Sequence, residues 1–397
     1  MQFKKLFTSE SVSLGHPDKI CDIISDTILD AYLVKDPTSR VAVETLVSTN
    51  FLIVAGEINS KATFAATEID RMIREKIKWI GYDEPELGFS YDTLKIVNRI
   101  HSQSADIAQG VVLGNDKIGA GDQGMMYGFA TVEGPNYYPL AKSIADAIIY
   151  RLTVLRMNKA LNWIKPDMKT QVTVEYRDEE KPIVNTVVAS IMHSEDANIQ
   201  KCKITIRKIV DEVLNEYTMS GYLAKTVDYE FMFNPTGRFV IGGPNGDTGV
   251  TGRKIIVDSY GGYSRHGGGA FSGKDYTKVD RSASYAARYV AKNLVAAGFA
   301  DILEFQLAYA IGVVNPVSIE IDTFGTGKIP DLELAAIVDR EFDLRPFGII
   351  TTLKLTEPIY AETASFGHFN NPRIEFTWEK LNRVIDLQKL LSNYSEQ

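Results

Sequence analysis

Two glycine-rich stretches of this chain each end in cations. In Gly267-Gly268-Gly269-Ala270-Phe271-Ser272-Gly273-Lys274-Asp275, the glycines let backbone amides approach an anion, while Lys274 and the following Lys278 supply charge. Gly268 to Lys274 reads literally as G-x-x-x-x-G-K. Asp275 then stands where a phosphate-loop NTPase needs the Ser or Thr that holds magnesium, and no strong strand precedes it, so that class is set aside. Upstream, Gly242-Gly243-Pro244-Asn245-Gly246-Asp247-Thr248-Gly249-Val250-Thr251-Gly252-Arg253-Lys254 repeats the recipe and runs into a strand-like Ile255-Ile256-Val257. A solvated linker explains the glycines of both stretches. It does not explain why each ends in a cation and carries an Asp.

Nearer the start, Ser13-Leu14-Gly15-His16-Pro17-Asp18-Lys19 leads into an amphipathic segment. Proline suits the first helical position, and the amides of a first turn attract anions. His16 is then placed to hydrogen-bond a phosphate oxygen and Asp18 to face a metal; an ordinary helix start with an exposed His is the plainer alternative. In Gly119-Ala120-Gly121-Asp122-Gln123-Gly124, Asp122 can bind a ribose or an ammonium group, or simply order its own turn. Glu44 and Glu57 lie among strand-forming residues, where a buried acid needs a partner. That makes each a candidate ligand for a cation or an amine, unless the strands turn those faces to water.

The elements that must position these residues come in a repeated order. Helical spacing runs through Ile20, Ile23, Ile24 and Ile28, then Ile69, Ile73, Ile77 and Ile80. The second pair is Leu140, Ile144, Ile148, Leu152 with Cys202, Ile206, Ile209, Val213. The third is Ala286, Tyr289, Val290, Leu294 with Leu334, Ile337, Val338, Phe342. Each pair brackets a strand-rich stretch (41–58, 171–192, 304–321) and is followed by a short apolar run at 94–97, 229–233 or 349–353. Helix, hairpin, helix, strand thus occurs three times, which predicts three similar α+β units. Helices gathered on one face of each sheet leave the other face for packing against another unit or a partner chain.

Bulk properties bound the rest. At 397 residues and 45% hydrophobic composition the chain can fill two or three domain cores. A net charge of −8 gives no general attraction to nucleic acid or anionic lipid, so a bound anion must meet a local cationic cluster. No run approaches the ~20 apolar residues of a membrane helix. Cys21 and Cys202 both fall in predicted helices and make no disulfide framework, which suits a reducing, cytoplasmic setting.

Taken together, Gly15-His16-Pro17-Asp18-Lys19, Gly119 to Gly124, Asn234-Pro235-Thr236-Gly237-Arg238-Phe239, Gly252-Arg253-Lys254, the Gly267 to Asp275 loop and Gly367-His368-Phe369 resemble the signatures of methionine adenosyltransferases, the S-adenosylmethionine synthetase family, over nearly the whole chain. The resemblance implies an α+β fold of three similar domains about a pseudo-threefold axis, here 1–104, 118–236 and 237–390 with segments exchanged, and a mobile gate at 105–117. It further implies a homodimer with shared active sites, sometimes paired into a tetramer. The implied reaction is attack of methionine sulfur on C5′ of ATP, releasing tripolyphosphate that is then hydrolysed to pyrophosphate and phosphate.

By the same resemblance, His16, Lys169, Arg253, Lys254, Lys274 and Lys278 form the catalytic, triphosphate-facing set. Asp122, Asp167, Phe239 and Ala270 join several of these in binding ATP, and Glu57, Gln103, Asp247 and Lys278 meet methionine. Asp18 and Asp280 hold two magnesium ions and Glu44 helps bind potassium. Four positions depart from the family's usual residues: Leu14 for Glu, Cys21 for a smaller residue, Ala105 for Pro and Tyr276 for Pro. Leu14 matters most, because it removes an acid beside His16.

Overall fold

The computed structural model describes residues 5–102, 119–177, 180–225 and 228–395. Gln103, Ala105 and the 105–117 gate therefore lie outside the described residues.

All six helices expected from apolar spacing form. Helix α1 (Pro17–Lys35) starts with proline at its first position and buries Ile20, Ile23, Ile24 and Ile28. Helix α2 (Ala66–Ile80) is amphipathic; Ile69, Ile73, Ile77 and Ile80 are its buried face, and Gly81 ends it at φ +111°, a left-handed cap suited to glycine. The other four are α3 (Leu140–Met157), α4 (Ile199–Met219), α5 (Val279–Ala296) and α6 (Asp331–Glu341).

Between the helices stand the hairpins β2 (Arg40–Ser48) with β3 (Phe51–Asn59), β6 (Ile164–Arg177) with β7 (Glu180–His193), and β10 (Ile302–Tyr309) with β11 (Ser318–Asp322). Two carry a parallel neighbour on one side: β4 (Lys95–Ser102) on β3, and β8 (Glu230–Phe233) on β7. Each hairpin also takes an antiparallel strand from elsewhere in the chain. β1 (Lys5–Val12) pairs with β6, β5 (Gly124–Thr131) with β10, and β9 (Gly249–Val250) with β2. The three sheets are thus tied in a cycle, each lending a strand to the next. The result is α+β, as the repeated order of elements implied.

Two strand expectations do not hold. The run at 349–353 lies in a helix, α7 (Pro346–Thr352), because Pro346 fixes a helical start and the turn buries Ile349 and Ile350 together. The third sheet accordingly has no parallel fourth strand among the described residues. Ile255-Ile256-Val257 forms turns, with the Asp258 amide donating to Lys254 O at 2.8 Å; closing that loop leaves Ile256 exposed while Val257 packs inward.

A fully buried ion pair ties the lysine loop to α1. Arg281 of α5 donates to both oxygens of Asp26 at 2.7 Å, and to the carbonyls of Phe271 and Lys274 at 3.0 and 3.1 Å. The Gly273 amide donates to Asp26 at 2.8 Å. Gly273 itself has φ +80°, and a β-carbon there would lie 1.9 Å from Val43 O, so only glycine fits. Lys274 is thereby set at a bridge opposite Ala42 of β2.

Candidate active site

His16 caps α1. Its Nδ1 accepts the Asp18 amide at 3.1 Å, which leaves the hydrogen of a neutral ring on Nε2. The ring is 2% exposed, so the plainer alternative of a solvent-exposed helix-start histidine does not apply. Burial, then the nearby charges of Lys254 and Lys169, hold its pKa down to about 3. His16 is therefore a neutral Nε2–H donor at ordinary pH.

The fold binds fewer protons at this ring than the unfolded chain between about pH 3 and the usual value near 6.5. Its contribution to stability is complete above pH 6.5 and is lost as pH falls through that window. In a proton–carbon NMR titration the His16 Cε1 resonance is expected to stay flat from about pH 8 to pH 5. A midpoint near 6.5 would contradict a neutral donor.

Asp18 is buried. Its Oδ1 accepts the Val250 amide at 3.0 Å, and its Oδ2 takes the Lys254 ammonium at 2.6 Å; Arg253 Nε stands 3.8 Å away. Burial alone would raise its pKa, but the bonds from Lys254 and Val250 outweigh that and hold it below the ordinary value. The close fit comes from small residues: a β-carbon on Gly249 would lie 2.2 Å from the Pro17 carbonyl carbon.

On β6, Asp167 is buried and Lys169, two positions on, is exposed. Asp167 Oδ2 accepts the Gly243 amide at 2.9 Å; Oδ1 is buried with no hydrogen-bond partner among the described residues, and burial pushes the carboxyl up to about 6. Lys169, Lys254 and the exposed Asp247 act electrostatically on this acid. The Phe239 amide donates to His193 Nε2 at 3.1 Å.

A second group lies on the lysine loop. Lys274 Nζ is 2.6 Å from Asp280 Oδ2 at the start of α5. Lys278 pairs with Asp275, which is fully buried and accepts the amides of Val41 at 2.7 Å and Thr277 at 2.9 Å. Asp275 thus anchors the loop. The two groups meet at small residues: Gly252 has φ +81°, and a β-carbon there would lie 2.5 Å from that of Ala270. The Asp122 loop borders the second group, since a β-carbon on Gly124 would stand 3.6 Å from Asp280 Oδ1. Asp122 itself is exposed and accepts its neighbour's amide, Gln123 N, at 2.8 Å.

Glu44 and Glu57 are not buried. Both lie on the more open face of the β2–β3 sheet, so the cost of burial gives them no ligand role in the single chain; Glu57 instead stands 3.5 Å from His101. Of the departures, Leu14 and Cys21 pack in the apolar core, while the Tyr276 hydroxyl donates to Pro37 O at 2.8 Å.

Sequence reasoning gave no role to Tyr82, whose hydroxyl donates to Gly15 O at 2.6 Å beneath the His16 turn, nor to Lys19, Asp22 and Asp258 behind Asp18. A charged i, i+3 pair on the buried side of α1 was the available signal. Among the described residues no three His, Cys, Asp or Glu side chains gather to hold a metal.

Against this geometry, residues 4–105 match the S-adenosylmethionine synthetase N-terminal domain, 117–239 its central domain and 241–380 its C-terminal domain. The chain belongs to the S-adenosylmethionine synthetase family. Across 98% of its length it is 52% identical to the whole S-adenosylmethionine synthase of Clostridium botulinum (strain Alaska E43 / Type E3). It is 50% identical, over 98% of its length, to that of Clostridium tetani, and 50% identical, over 97%, to that of Mesoplasma florum, again covering all of each relative. No helix among the described residues of this family member is long and apolar enough to cross a membrane.

Proposed function

We propose that this enzyme makes S-adenosylmethionine from ATP and L-methionine, and that one convergence carries the reaction: His16, Asp18, Lys169 and Lys254, brought from three distant segments around a neutral imidazole. Methionine sulfur is a neutral nucleophile and needs no base. As its lone pair forms the S–C5′ bond, the C5′–O bond breaks and its electrons pass to the tripolyphosphate oxygen. The burden is negative charge on that oxygen, where fixed donors act most strongly. His16 Nε2–H donates there, and Lys169, Arg253, Lys254 and Lys274 attract the phosphates. Asp167 Oδ1, which has no hydrogen-bond partner among the described residues, accepts a nucleotide hydroxyl, and Asp122, Phe239 and Ala270 border the nucleoside.

Asp18 and Asp280 pair with Lys254 and Lys274, each at 2.6 Å. Both lysines exchange an aspartate for a phosphate oxygen when the nucleotide arrives, freeing both carboxylates for two magnesium ions. Magnesium held there would neutralise phosphate charge and polarise the leaving oxygen. The same cationic set then holds tripolyphosphate for hydrolysis to pyrophosphate and phosphate. Glu57, Asp247 and Lys278 serve methionine, and Glu44 a potassium ion. The open face of the β2–β3 sheet, which carries Glu44 and Glu57, is the face we assign to a homodimer with shared sites, working in the cytoplasm.

The rival chemistry is transfer of the γ-phosphate. Incubation with ATP, methionine and magnesium should yield a sulfonium product with pyrophosphate and phosphate in equal amounts. Accumulation of ADP would overturn the reading.

A further inference from the structure

Directly behind Asp18 lies a set of buried charges with no place in that chemistry. Lys19, Asp22 and Asp258 are 2%, 1% and 6% exposed. The Lys19 ammonium binds Asp258 Oδ2 at 2.6 Å and Asp22 Oδ2 at 3.1 Å. Asp22 uses its other oxygen to accept the Gly252 amide at 2.9 Å.

Burying three charges gives little net stability, and apolar residues of similar size usually serve a core as well. What such a cluster does provide is geometry. Lys19 and Asp22 lie on the first turns of α1, one and four positions beyond Asp18, whereas Gly252 and Asp258 bracket Arg253 and Lys254. The 252–258 segment is therefore fastened at both ends to the helix that carries His16 and Asp18. Asp258 also closes the turn, its amide donating to Lys254 O at 2.8 Å and its carbonyl accepting the His368 amide at 3.0 Å. Gly252 is at φ +81° and Ile256 is exposed, so beyond the buried Val257 and the turn's own backbone bonds, the Asp22 and Asp258 contacts are what tie the two ends of the segment to α1.

We propose that Lys19, Asp22 and Asp258 are positioning residues that set where the Lys254 ammonium and Arg253 guanidinium stand relative to His16. This rests on the role given to Lys254 under the proposed function. A misplacement on the order of 1 Å costs roughly 10²-fold in rate. The effect falls on the chemical step, because among the described residues the cluster's hydrogen bonds and ion pairs go to Gly252, Lys254 and His368 and not to Glu57, Asp247 or Lys278.

The test measures single-turnover sulfonium formation in Asp22→Asn and Asp258→Asn, each made in the full-length enzyme and again beside Lys254→Met. Asparagine keeps an oxygen for the Gly252 amide while removing the charge that holds Lys19. Each variant is expected to slow the wild-type enzyme by roughly 10²-fold, with methionine KM moving less than about threefold, and to add less than about threefold once Lys254 is gone. Near-UV circular dichroism and thermal melting establish that the variants are folded; if Asp258→Asn does not fold, Asp22→Asn decides alone. A folded variant at the wild-type rate, or an equal loss in both backgrounds, overturns the positioning role. A wild-type rate in Lys254→Met alone overturns instead the assignment of Lys254, which separates the two failures.

Discussion

Lys254→Met is expected to slow sulfonium formation by roughly 10²- to 10³-fold, the usual loss when one donor to a developing oxyanion is removed. The same substitution is expected to raise the affinity for a metal ion offered without nucleotide. The ammonium of Lys254 sits 2.6 Å from Asp18 Oδ2, the oxygen proposed to hold a metal. A divalent ion alone must displace it and leave a cation beside a cation. With polyphosphate present the displaced lysine gains a phosphate partner, so metal and nucleotide bind together. Manganese binding followed by electron paramagnetic resonance reads this directly. Wild-type enzyme should bind manganese weakly until tripolyphosphate is added, whereas Lys254→Met should bind manganese alone at least about tenfold more tightly, equivalent to about 1.4 kcal/mol. Equal manganese affinity in the two proteins would show that the ion pair does not gate the site.

Asp18→Asn carries the second large effect. Asparagine still accepts the Val250 amide, made at 3.0 Å in the parent, so α1 keeps its contact with β9. It loses the charge that pairs with Lys254 and that the metal needs. Synthesis is expected to fall by roughly 10³-fold, with tripolyphosphate hydrolysis falling in parallel, while the thermal midpoint moves little. Burial of Asp18 makes the melting measurement essential: a rate loss accompanied by unfolding says nothing of metal binding. A folded Asp18→Asn enzyme with near-normal turnover would remove Asp18 from the site.

How much of this was legible in the sequence depended on the range of the interaction. The helices were, because apolar residues at i, i+3 and i+4 such as Ile69, Ile73, Ile77 and Ile80 encode one buried face locally. Hairpins were legible for the same reason. The cyclic exchange of β1, β5 and β9 was not, since a two-residue strand such as Gly249–Val250 has no periodicity and pairs with a hairpin far away in the chain. The 349–353 run misled because β-branched residues favour strands, while Pro346 and burial of Ile349 and Ile350 favoured a helix turn.

At the site, residue chemistry and loop composition marked His16, Lys254 and Lys274, and the fold brings His16 and Lys254 together. Burial was what the sequence did not convey. Asp18, placed to face a metal, is enclosed; for Glu44 and Glu57 the sequence left burial and a water-facing position both open, and neither is buried. Lys19 stood inside a recognised motif, but its partner Asp258 lies in a different segment and only folding joins them.

In the proposed reaction, cations from distant segments converge on a single polyphosphate and exchange their aspartates for it. A crystal structure of the enzyme with magnesium and imidotriphosphate, a tripolyphosphate analogue that resists hydrolysis, tests this directly. Lys254 and Lys274 should be turned from Asp18 and Asp280 onto phosphate oxygens, with magnesium on both carboxylates and His16 Nε2 within hydrogen-bond reach of the terminal oxygen that C5′ would have carried. A polyphosphate bound elsewhere, with both lysine–aspartate pairs intact, would contradict it.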